Sequence, residues 1–368
     1  MAITRLGPNQ DITAAKIAGQ INFKNLIING DMSIAQRGIS SSSLSGYTSC
    51  DRFTATNNAL DQLAGTLSQI SDAPSGSGLS KSFKFTVTTP ETTLEADEYQ
   101  TIQHRIEGQN LQHLKYNTSS AESLTLSFWV KSSVTGTYAT GLYLIDNNRN
   151  IGTTYTINSA NTWEKKTLTF VGDTSGIIGN DNTEGLRLWF ILGAGSTFNN
   201  SDNTSWDTYS SGRLGYGTSN NLLTTSSATW QITGLQLEVG TSASDFEFLP
   251  YDVNLQRCKR YFQRIWMNRS DNNFWGPQRY FDSNNVILGE TWFSPEMRAQ
   301  PSFSYTGTPI IKNNGGAVTG WESITGGLLS NTRAEVQFIK TGHGLTNSNT
   351  LAANLSDSST FFKYDAEL

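Results

Sequence analysis

The stretch Ser123–Ser132, SLTLSFWVKS, constrains the fold more than any other part of the chain. Leu124, Leu126, Phe128 and Val130 alternate with Thr125, Ser127, Trp129 and Lys131. Successive side chains of an extended strand point to opposite faces, so a period of two predicts a strand with one face buried and one solvated. TWEKKTLTFVG, LRLWFILGAG and WQITGLQLEVG carry the same chemistry, with β-branched and aromatic residues between Gly, Asn, Asp and Ser turns. Helical signals are confined to the leader DITAAKIAGQI and to YDVNLQRCKRYFQ, where Leu255, Cys258, Tyr261 and Phe262 fall at helical spacing. A strand beginning at Cys258 explains the second segment equally well. Many short strands, few helices and no internal repeat predict antiparallel sandwiches. Trp129, Trp163, Trp189 and Trp230 lie within or beside these strands and are expected in the core, so that Trp129→Ala should unfold the first sandwich.

The 368 residues suffice for two domains. Composition shifts near Phe248-Leu249-Pro250, from Ser, Thr and Asn before it to Arg, Trp and Pro after it. Lys plus Arg number 26 against 31 Asp plus Glu, without a like-charged block, which argues against a nucleic-acid partner. No apolar run reaches the roughly 18–20 residues of a membrane helix, and the first residues lack a signal-peptide core, so neither membrane insertion nor export is expected. Cys50 and Cys258 form no metal-ligand or disulfide spacing and read as buried thiols. His104, His113 and His343 build no HExxH, and neither GxSxG nor GxxxxGK occurs, so no catalysis is expected.

NLIINGDMS, from Asn25, and ITGLQLEVG, some 200 residues later, resemble the first and last strands of the jelly-roll domains of carbohydrate-binding modules. On that reading Asn29-Gly30-Asp31 turns the chain out of its first strand. NGDMSIAQRG, CDRF, IEGQNL, LTLSFWVKSS, TGTY, YTINSANTWEKKTLTFVGDTSG, ITGLQLEVG and RCKRYF follow the order seen in tail-fibre and virion structural proteins of tailed phages, marine ones especially. FSPEMRAQPSFSYTG looks like the closing-domain strand of the same proteins. The resemblance implies an all-β chain: an anchoring segment at 1–24, a jelly-roll β-sandwich at 25–250, and a second, smaller β-sandwich at 251–368. It implies a homotrimeric, noncatalytic tail fibre in the virion, made in the host cytoplasm. One end would hold a tail adaptor, nozzle or baseplate protein, and the other a host surface polysaccharide or lipopolysaccharide. A purely structural virion protein, such as a capsid decoration or tail accessory, is the alternative.

Sugars stack their apolar faces on aromatic rings while hydroxyls meet Asn, Asp and Arg. Two regions carry that mixture. Trp206 and Tyr209 fall in the long loop Ser196–Thr229, where Trp206 either meets a ligand or pins the loop. Trp275, Arg279 and Tyr280 fall in RIWMNRSDNNFWGPQRYFD, and Trp321 in the Gly-rich NNGGAVTGWES; these are expected to form the recognition tip. Jelly-roll modules often hold a structural calcium, and Asp31 is placed for it, but Gly234 stands where many modules have an Asp. No metal or other cofactor is therefore expected.

Overall fold

Apolar alternation becomes two facing sheets in the computed structural model, which describes residues 23–266, 279–280, 285–307, 309–313, 316–318, 321–341, 352–355 and 361–368. The first sheet runs β1 (Ser40–Ser41), β3 (Ala64–Ile70), β4 (Ser82–Thr89), β12 (Thr229–Val239), β6 (Leu124–Ser132), β9 (Glu164–Phe170). The second runs β11 (Asp207–Thr208), β8 (Arg149–Ile157), β7 (Gly136–Leu144), β10 (Glu184–Ala194), β5 (Tyr99–Glu107), β2 (Phe53–Asn58). Every pairing among these strands is antiparallel. Leu124, Leu126, Phe128 and Val130 meet Leu186, Leu188, Phe190 and Leu192 in one core between the sheets. Ring contacts reinforce it: Phe128 lies edge-on to Tyr155 and to Phe190, at 5.2 and 5.1 Å.

The opening segment closes the sandwich, as its sequence implied. Leu26 N–H donates to Leu237 O at 2.9 Å and Leu235 N–H to Gly30 O at 2.9 Å, so the segment lies along β12. The approach is close enough that a Cβ on Gly30 would stand 2.1 Å from Leu235 O. The chain then turns at Asn29, whose φ of +64° is one that Asn tolerates. Gly234 is a bulge residue of β12: with φ +60° it lets two residues oppose one of β6 between Thr233 and Gln236.

The core tryptophans divide. Trp189 and Trp230 are buried, but Trp129 and Trp163 are only half-buried and stand on the outer face of the first sheet. Trp163 instead receives Lys131, 5.0 Å from its ring, and donates to Asp72 Oδ1 at 3.3 Å. The alternation that buries Phe128 puts Trp129 on the other side of the pleat, so the expectation that Trp129 holds up the sandwich is corrected.

After β12 the chain forms the helix α1 (Tyr251–Lys259) and then β13 (Phe262–Trp266), so Cys258 is helical and the strand expected from Cys258 begins only at Phe262. The C-terminal half is a smaller sandwich. One sheet is β13, β22 (Phe361–Asp365) and β16 (Ser302–Thr306); the other is β14 (Arg279–Tyr280), β15 (Asn285–Trp292), β20 (Arg333–Ile339) and β19 (Ser323–Leu329). Val336, Phe338, Phe362 and Tyr364 centre its core. A third ribbon joins β18 (Gly316–Val318), β17 (Pro309–Asn313) and β21 (Ala352–Leu355).

The two halves are joined by ion pairs, of which Arg52–Glu367 is buried on both sides. Arg52 pairs with Glu367 and stacks 3.4 Å from the Tyr261 ring. Arg37 reaches Asp365 at 2.8 Å, and Arg260 grips Glu107 through two bonds of 2.9 and 2.8 Å. Cys50 and Cys258 are buried free thiols, and burial pushes both well above the ordinary thiol value.

Candidate functional site

The outward face of the second sheet brings together tyrosines and an arginine that are far apart in sequence. Antiparallel register sets Tyr143 of β7, Arg187 of β10 and Arg105 of β5 in one cross-strand row. The Arg187 guanidinium lies 5.6 Å from the centre of the Tyr143 ring. Tyr209 joins this group, its ring 5.0 Å from that of Tyr143. All three side chains are half-buried, which leaves part of each open to a ligand.

The tray is rigid for identifiable reasons. Tyr143 Oη donates to Asn148 Oδ1 at 2.8 Å. Glu184 fixes Arg187 through bonds of 2.6 and 3.0 Å. Burial pulls the Arg187 guanidinium down, but Glu184 outweighs it and holds the group above its ordinary value. Burial raises the Tyr143 and Tyr209 phenols, so both are neutral donors and acceptors at physiological pH. Tyr99 and Phe198, edge-on at 4.7 Å, extend the aromatic surface.

Tyr209 reaches the tray because its loop is clamped. β11 pairs with β8, and Tyr209 N–H donates to Asn148 O at 2.8 Å. Arg213, buried, donates to Asn150 Oδ1 at 2.9 Å and to Ser205 O at 2.6 Å. Trp189 Nε1–H donates to Leu214 O at 3.1 Å, so the loop covers an outward-facing tryptophan that would otherwise be exposed. Trp206 is used as a pin: its Nε1–H donates to Val171 O at 2.6 Å and its ring meets Tyr116 edge-on at 6.0 Å.

The structure therefore brings Tyr209 to a convergent site and turns Trp206 inward. Trp321 is half-buried, edge-on to Phe338 at 5.0 Å on the rim of the C-terminal core. Arg279 and Tyr280 form the short strand β14, and Trp275 lies outside the described residues. Among the described residues of this half, Trp292 is 66% exposed at the end of β15, with Arg333 5.7 Å from its ring. Sequence reading missed it, together with Tyr143 and Arg187. The alternation in β10 did put Arg187 opposite Leu186 and Leu188, which is the signal that could have found it.

Asp31 Oδ1 accepts from Asn254 Nδ2 at 3.0 Å and Ser33 Oγ at 3.0 Å, so protein donors take the oxygen considered for calcium. Among the described residues, the carboxylates that could hold a cation are Asp61, Glu91 and Glu98, with oxygens within 4.8 Å of one another. Glu91 Oε1 already accepts the N–H groups of Gln62 and Leu63, at 3.2 and 2.7 Å.

No family model and no curated protein matches the chain. Solved structures do. The enzymatically active domain of tailspike protein 4 of bacteriophage CBA120 is 13% identical with a TM-score of 0.33, over 59% of this chain and 22% of that one. A carbohydrate-binding module solved with β-1,4-galactotriose is 8% identical, TM-score 0.29, over 59% and 99%. The family 11 carbohydrate-binding module of Clostridium thermocellum, solved with a β-1,3-1,4-mixed-linked tetrasaccharide, is 10% identical, TM-score 0.28, over 56% and 99%. The chain spans about a fifth of the tailspike chain's length.

Proposed function

We propose that this protein is a tail fibre of a tailed phage that recognises a host surface polysaccharide without cleaving it. The observation that carries the polysaccharide-binding part of the reading is the tray of Tyr143, Tyr209 and Arg187, held on a sheet and half-open to solvent; the tail-fibre part rests on the order of the sequence motifs. Aromatic faces stack on the CH face of a pyranose, and a guanidinium with neutral phenols offers donors and acceptors for its hydroxyls. A single site of this kind is weak, so a homotrimer presenting three sites to a repetitive surface is part of the proposal. Residues 1–24 are proposed as the segment that anchors the chain to a tail adaptor, nozzle or baseplate protein, its last two, Phe23 and Lys24, docking on the jelly roll through Glu247.

Purified protein is added to host cells before phage, and adsorption is counted. Wild-type protein is expected to block adsorption, Tyr143→Ala to block it poorly with melting temperature nearly unchanged, and Trp292→Ala to block like wild type. If Trp292→Ala loses blocking while Tyr143→Ala keeps it, recognition sits on the C-terminal sandwich. If wild-type protein neither blocks adsorption nor binds host polysaccharide, the fibre reading falls and a structural virion role replaces it.

A further inference from the structure

A cleft of about 1130 Å³ opens where the opening segment, the end of β12 and α1 meet β5. None of Tyr143, Arg187 and Tyr209 lines it. Its volume is slightly above the ~300–1,000 Å³ usual for small-molecule sites, which suits a ligand of more than one ring. Four cations line it, Lys24, Arg105, Arg257 and Arg260, against one carboxylate, Glu238.

Two of these four cations are paired within the protein and two are not. Arg260 is neutralised by Glu107, and Arg105 lies 3.7 Å from Glu184. Glu238 is consumed by Gln236 Nε2 at 2.8 Å and by the Ser244 N–H and Oγ–H at 2.9 and 2.6 Å. Glu247 feels Arg257, but its oxygens accept the backbone N–H groups of Phe23, Lys24 and Asn25. Among the described residues Arg257 has no carboxylate within 4.0 Å, only Asn25 O at 3.5 Å. Lys24 Nζ donates to Ser244 Oγ at 2.5 Å and Asp245 O at 3.1 Å, both uncharged. A half-buried guanidinium facing a cleft without a counter-ion is costly until a carboxylate arrives.

We propose that this cleft is a second ligand site, for an acidic saccharide whose carboxylate pairs with Arg257 and Lys24. Phe23, 56% exposed at the mouth and 5.8 Å from Arg257, is the platform for the sugar face. Asn110 also lines the cleft and supplies an amide for hydroxyls, while the Gln109 amide N–H is already donated to Glu107 Oε2. An acidic peptide fits less well: β5 lies between β10 and β2, and β12 between β4 and β6, so neither strand offers a free edge to an extended chain.

Calorimetric titration of the full chain with a galacturonic acid trimer, the neutral galactose trimer of the same linkage and a Glu-rich peptide tests this. The acidic trimer is expected to bind at least about tenfold more tightly than the neutral one, and Arg257→Gln to lose about ten- to a hundredfold. Lys24→Ala should lose affinity without touching the helix, and Tyr143→Ala should leave this binding unchanged. No binding of the acidic trimer at millimolar concentration, equal binding of the neutral trimer, or wild-type affinity in folded Lys24→Ala and Arg257→Gln overturns the proposal. Tighter binding of the Glu-rich peptide does so too. Loss of adsorption blocking in Tyr143→Ala with trimer binding intact separates this site from the tray.

Discussion

Arg52→Met tests whether buried charge ties the two sandwiches together. Arg52 is fully buried with φ +73°, and its guanidinium meets the Glu367 carboxylate, Arg105 O at 2.6 Å and the Tyr261 ring at 3.4 Å. The left-handed backbone costs Arg and Met alike, so it cancels in the comparison. Removing one partner of a buried pair costs about 3–5 kcal/mol because the other charge is stranded. Glu367 keeps Arg37 at 3.3 Å, and a Met thioether still packs on Tyr261, which puts the expectation near the lower end, about 3 kcal/mol. Arg52→Met/Glu367→Met removes both charges and should be more stable than Arg52→Met, since Arg37 retains Asp365 at 2.8 Å. Urea unfolding followed by tryptophan fluorescence and far-UV circular dichroism measures this, with coincidence of the two probes as the check on two-state behaviour. A loss below about 1 kcal/mol in Arg52→Met, or a double variant less stable than Arg52→Met, would refute the reasoning.

His104 is buried, and its Nε2 accepts the Ile28 N–H at 3.2 Å; burial, then Arg52 and Arg257, hold its pKa well below 6.5. Below pH ~6.5 the unfolded chain therefore takes up a proton that the folded chain refuses, and stability falls by up to about 1.4 kcal/mol per pH unit until the folded value is reached. His104→Gln keeps an acceptor for Ile28 and should flatten that part of the pH–stability curve; an unchanged slope refutes the assignment. Burial raises the Asp51 carboxyl, and this works in the opposite sense at lower pH, but it is common to both proteins. Trp206→Phe loses the bond to Val171 O and should cost about 1 kcal/mol and speed proteolysis within Ser196–Thr229. Weakened polysaccharide binding with unchanged proteolysis would make Trp206 a ligand contact instead of a pin. Phe128→Ala should cost about 3–5 kcal/mol in thermal unfolding and Trp129→Ala distinctly less, and equal costs would contradict the placement of Trp129 on the outer face.

What the sequence disclosed is what local periodicity can carry. Period two in Leu124–Val130 was enough to predict β6 and its buried face, and the same pattern, read to its end, already excluded Trp129 from that face. The assignment of tryptophans to the core failed where it followed their place within or beside strands instead of pleat parity. Trp189 shows the limit in the other direction: it points away from the main core, yet it is 1% exposed because a loop some 25 residues later lies over it. No window of sequence contains both.

The candidate site was less legible for the same physical reason. Tyr143, Arg187 and Tyr209 stand on β7, on β10 and just after β11, strands that become neighbours only through the order β11, β8, β7, β10. Register then decides which of their side chains share a face. Loop aromatics such as Trp206 drew attention because they sit among Asn and Ser, but an indole beside polar residues finds a backbone acceptor as readily as a sugar, and Val171 O supplies one. Tyr209 differs in what surrounds it. Its backbone is held by Asn148 while its ring meets Tyr143, so its own anchoring leaves part of the side chain uncommitted. A half-buried aromatic whose position is fixed by other groups is better placed for recognition than a larger one consumed in fixing itself.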